Sequence, residues 1–144
     1  LFGYSQLPKK GKILFVTSSL KDVMVLRGLG YNAIALNGEG YASNEDSLSA
    51  KEFKKKLIYL EKKFEHIIFY MNNDEAGIKF NVQLARTYHK QYIMNPAKTP
   101  KDISDYIEKY NVRRTKQMLQ KQVSHLLNNK RYDNERSSTG ILPY

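Results

Sequence analysis

Cysteine and tryptophan are absent from these 144 residues, and proline occurs only four times. Without cysteine there is no disulfide framework, no thiol nucleophile and no zinc site built on thiolates. The three histidines, His66, His89 and His125, are too scattered in sequence to form a metal cluster alone, and none is assigned a catalytic role. No apolar run approaches the ~20 residues of a membrane span, and the opening LFGYSQLPKKGK lacks the apolar centre of a secretory signal. A cytoplasmic protein with no membrane partner is expected. Acidic residues are also scarce: 14 Asp and Glu face 24 Lys and Arg, a net charge of +10. A hydrophobic share of 41% still provides for a packed core and excludes a wholly disordered polycation. The length suits one domain with appendages. Opening on Leu1 rather than methionine suggests a segment of a longer polypeptide.

What is present alternates between two periodicities. KILFVT (12–17), YNAIAL (31–36), HIIFYM (66–71) and a short run at 91–94 are compact and apolar, as strands buried on both faces should be. Between them, Leu20, Val23, Met24, Leu26 and Leu29 read as one apolar helix face ending at Gly28 and Gly30. Residues 48–64 read as a basic amphipathic helix with Leu48, Phe53, Leu57, Leu60 and Phe64 inward. A helix to about His89, a short helix over 101–110 and a longer one carrying Val112, Thr115, Met118, Leu119, Gln122, Val123, Leu126 and Leu127 complete the pattern. Strands alternating with helices predict an α/β fold, a parallel four-stranded sheet with helices on both faces, plus a basic C-terminal helix. The expected organisation is a lead-in over 1–11, the α/β domain over 12–110, the basic helix over 111–130 and a flexible tail over 131–144.

In such a sheet, ligands gather beyond the carboxyl ends of the strands. Three loops qualify: Thr17 to Asp22, Asn37 to Gly40, and Asn72 to Gly77. The last places acidic residues before small ones that open a helix, where a hard cation such as magnesium could be held, or where Asn73 or Asp74 simply caps the helix. Ser19 followed by Asp22 resembles a capping box. Gly38 and Gly40 lack the spacing of a dinucleotide fingerprint, so a turn suffices there. Lys21, Lys51, Lys54, Lys55, Lys62 and Lys63, and Arg113, Arg114, Lys116, Lys121, Lys130 and Arg131 further on, suit phosphate contacts. Tyr41 and Tyr132 are candidates for stacking on unpaired bases. The same lysine runs could instead be solvated helix faces; a charge of +10 favours nucleic acid.

Taken jointly, VTSSLKDVMVL, FYMNNDEAG and KTPKDISDYI resemble the Toprim domain over about residues 12–110, most similar to DNA primases of phages and mobile elements. The resemblance implies a magnesium site built from a glutamate after the first strand and an Asp-x-Asp pair after the third. Here Ser18 stands at the glutamate position, Asn72 at the first aspartate, and Asp74 at the second, with Asp102 and Asp105 at later acidic positions. Glu39 and Glu75 are further carboxylates that could compensate. Replacing two carboxylates by a hydroxyl and an amide implies weak Mg²⁺ affinity. The implied function is a primase or primase-helicase domain acting on a single-stranded DNA template or an RNA–DNA hybrid within a larger replication protein, with Mg-dependent nucleotidyl transfer if the site works. The alternative is a catalytically silent Toprim-like module binding DNA or a replication partner.

Overall fold

A computed structural model describes residues 1–37, 41 and 47–138, with side chains as far as 128. Its elements in chain order are β1 (Gly11–Thr17), α1 (Leu20–Gly28), β2 (Asn32–Ala35), α2 (Leu48–Glu61), β3 (Phe64–Tyr70), α3 (Glu75–Tyr88), β4 (Gln91–Ile93), α4 (Ile103–Lys109) and α5 (Val112–Ser138). The four strands form one sheet in the order β2-β1-β3-β4, and every pairing is parallel. The expected α/β architecture is therefore the observed one.

The continuous apolar runs arise because the sheet is covered twice. Leu14, Val16, Ile67 and Phe69 point to one side and pack with Phe53, Leu57 and Leu60 of α2 and Leu84 of α3. Their neighbours Phe15, Ile68 and Tyr70 point to the other and pack with Leu26 of α1, Ile103 of α4 and Leu119 of α5. This is the two-residue period of a strand with both halves buried. α1 stops as predicted: Gly30 takes φ +93, and its N–H donates to the Arg27 carbonyl.

Several expectations need correction. Leu20 and Met24 are not on the inward face of α1; they are 48% and 66% exposed. Leu48 opens α2 at the rim and is also exposed, and Phe64 begins β3 instead of closing the helix. Val112 is exposed at the start of α5, whereas Thr115, Met118, Leu119 and Val123 are buried. The lead-in is tied to the domain: Phe2 forms an antiparallel bridge with Ala35 at the β2 edge, and Leu1, Tyr4 and Leu7 pack against the core. α5 continues to Ser138, past the expected tail boundary at 131, because neither glycine nor proline interrupts the chain before Gly140. Among the described residues no helix is long and apolar enough to cross a membrane.

Candidate functional site

Because β1 and β3 are adjacent and parallel, the turns leaving them emerge side by side at the carboxyl edge of the sheet. There Ser18, Asn72 and Asp74 line one cleft of about 490 Å³, with Leu36, Met71 and Phe80 as its apolar wall and Lys79 and Gln83 at its rim. That volume lies within the roughly 300–1,000 Å³ of ligand pockets. Lys79 and Gln83 escape a motif search but not a periodicity count: Ala76, Lys79, Phe80 and Gln83 fall on one stripe of α3.

Local chemistry explains how each turn is held. Ser19 is the N-cap of α1, its hydroxyl accepting from the Asp22 amide at 3.2 Å, as the capping pattern predicts. Asp74 is the N-cap of α3, its carboxylate accepting from the Gly77 amide at 2.8 Å. Gly77 has to be glycine here, since a Cβ would lie 2.3 Å from the Asn72 carbonyl oxygen. Asn73 does not cap; its amide nitrogen faces the carbonyls of Pro96 and Thr99 at 3.2 and 3.1 Å, and its backbone N–H donates to Lys101. Asn95 continues this latch, accepting from the Tyr70 hydroxyl and donating to the Pro100 carbonyl at 2.8 Å.

The remaining acids go elsewhere. Asp22 is buried and accepts from the Ser104 hydroxyl at 2.7 Å, joining α1 to α4. Burial pushes its carboxyl above the ordinary range, the Ser104 hydrogen bond opposes this, and the Asp102 charge adds to it. Asp102 caps α4 by accepting from the Asp105 amide. Burial holds the Tyr70 phenol well above its usual value, and the charges of Asp22 and Asp102 act in the same direction. Neither Asp102 nor Asp105 lines the cleft, and Glu39 lies outside the described residues. Among the described residues no group of three or more His, Asp or Glu side chains is placed to hold a metal ion. His66 and His89, distant in sequence, share a smaller groove with Glu61 and Glu65 at the opposite end of the sheet.

Lys21, Lys51, Lys54, Lys55 and Lys62 are exposed, while Lys63 is half-buried with its ammonium over the Tyr59 ring. Arg113, Arg114, Lys116 and Lys121 are exposed on α5, with the Arg114 guanidinium 4.0 Å from the Tyr110 ring centre. α2 and α5 cover opposite faces of the sheet, so these cations form two separate basic surfaces. Tyr41 is not free to stack on a base: it is buried edge-on against Phe53, with its hydroxyl donating to Asn37. The side chains of Lys130, Arg131 and Tyr132 lie outside the described residues.

No family model and no curated protein matches this sequence. Solved structures with a similar fold include two from one bacteriophage. One is the primase fragment of the bacteriophage T7 primase-helicase protein, with TM-score 0.55 and 21% identity, covering 81% of this chain and 45% of that one. The other contains primase domains of bacteriophage T7 interacting with the lagging-strand DNA polymerase, with an RNA/DNA hybrid and dTTP bound. Its TM-score is also 0.55, at 19% identity over 81% of this chain and 55% of that one. The chain thus spans about half the length of either neighbour.

Proposed function

We propose that this chain is a Toprim-like domain of a phage or mobile-element primase or primase-helicase, a cytoplasmic replication protein, and that it binds nucleic acid without itself transferring nucleotides. The observation that carries this reading is the meeting of Ser18, Asn72 and Asp74 in one cleft at the carboxyl ends of β1 and β3. The likeness of the fold to T7 primase domains supports it, as do two exposed basic helices on a chain of net charge +10. The partners proposed are a single-stranded DNA template or an RNA–DNA hybrid, and other domains of a larger replication protein.

The donor set of the cleft does not fit a catalytic magnesium ion. Mg²⁺ is bound through hard anionic oxygens in strict octahedral geometry. Among the described residues one carboxylate, already accepting from Gly77, stands in the cleft with a hydroxyl and an amide, and the acids at 102 and 105 are outside it. This favours the silent module over Mg-dependent nucleotidyl transfer. Calorimetric titration with Mg²⁺ or Mn²⁺ tests it: no saturation at millimolar metal is expected, and the Ser18→Glu/Asn72→Asp double variant should gain saturable binding. Saturation of the unaltered chain that vanishes in Asp74→Ala would overturn the silent reading in favour of an active site.

A further inference from the structure

The cleft that fits a metal poorly is equipped for something else. A carboxylate only accepts hydrogen bonds, so a site walled by carboxylates repels phosphate unless a cation stands between them. A hydroxyl and an amide, by contrast, can donate directly. In this cleft Ser18 and Asn72 are such donors, and Lys79 adds an ammonium that is in no ion pair among the described residues. The opposing charge is Asp74. Its carboxylate is turned to the Gly77 amide at the first turn of α3, where the helix N-terminus offsets part of its charge. Asp74 and Lys79 are the charged side chains among the described lining residues, and their formal charges cancel. Among the described residues, a phosphate arriving from solvent therefore meets three donors and no net negative charge. Gly77 keeps this arrangement tight, since the absence of a Cβ lets the first turn of α3 close against Asn72.

We infer that this cleft is a metal-independent phosphate site, in which Lys79, Ser18 and Asn72 directly grip a phosphate group carried by a strand or a nucleotide. The inference rests on the nucleic-acid reading above and names Lys79 as the residue that sets its strength. Lys79→Glu reverses the key charge; Lys12→Glu makes the same change in net charge at an exposed position near the amino end of β1, away from the cleft.

The test is amide chemical-shift titration of the whole chain in EDTA, with the dinucleotide pTpT in one arm and dTTP in the other. Saturable shifts concentrated at Ser18 and 72–79 are expected. Lys79→Glu should weaken binding about tenfold, the scale of one charge-assisted hydrogen bond, whereas Lys12→Glu should change it less than twofold. The Ser18→Glu/Asn72→Asp variant should also lose binding in EDTA. Whichever ligand saturates at lower concentration identifies strand or nucleotide as the source of the phosphate. Equal losses in Lys79→Glu and Lys12→Glu, shifts confined to other surfaces, or binding that requires Mg²⁺ would overturn the inference. Retained binding of a longer oligothymidylate with an undisturbed cleft would overturn this site alone; no oligothymidylate binding at low salt would overturn the nucleic-acid reading as well.

Discussion

Asp22 shows how one side chain can carry a pattern that looks catalytic and do structural work. In sequence it stands three residues after Ser19 in a hydroxyl-rich loop; in the fold its amide completes the Ser19 cap while its carboxylate holds Ser104 across 82 residues. Burial lifts its carboxyl above the ordinary value of 3.8, so the folded protein keeps that proton to higher pH than the unfolded chain does. Its contribution to stability is thus greatest in acid and declines as pH rises from 3.8 through the raised value. Asp22→Asn removes this dependence while leaving an acceptor for Ser104. Urea unfolding at pH 4 and pH 7 should show the variant gaining on the wild type at the higher pH; a constant gap would contradict the burial argument. Asn73 teaches the complementary lesson. Its composition suits a cap, but the carbonyls of Pro96 and Thr99 that it serves lie more than twenty residues away, and no local pattern announces them.

At the scale of elements, the strands and the ends of helices were legible, and the faces of helices less so. Runs of branched and aromatic residues locate β1, β2 and β3 because both sides of the sheet are covered. The single inward face drawn on α1 could not hold all five apolar residues. At 3.6 residues per turn, Met24 and Leu26 stand about 160° apart, and Leu26 is the one that is buried. The Ala76-Gly77 pair was legible as small residues opening a helix; the reason for the glycine needed the third dimension. At an exposed helical site Gly→Ala would stabilise by about 1 kcal/mol. At Gly77 the added methyl meets the Asn72 backbone, so Gly77→Ala should destabilise by about 1–3 kcal/mol through overpacking, read as a lower urea midpoint.

For the molecule as a whole, alternation of strand and helix was enough to fix a parallel sheet covered on both faces, and strand order had to come from the structure. That order, with β1 beside β3, is what brings Ser18 to Asp74. It also parts the basic residues into two surfaces, one on α2 and one on α5. If a single strand tracks only one of them, the salt dependence of oligothymidylate binding will reveal it. Replacing Lys51, Lys54 and Lys55 by alanine, or Arg113, Arg114 and Lys116, should reduce the slope of log K against log salt by about 2, at roughly 0.7 per lost phosphate contact on single strands. We expect that loss for one triple variant and little change for the other; equal partial losses would mean that nucleic acid spans both faces.

The Phe2–Ala35 bridge has a consequence of its own. A flanking strand with unpaired amides is a template on which other chains can polymerise. Phe2 occupies both the N–H and the carbonyl of Ala35 at 3.0 Å, placing a chain of opposite direction where an incoming strand would dock. Phe2 thereby acts as a stopper against edge-to-edge pairing at this point of β2.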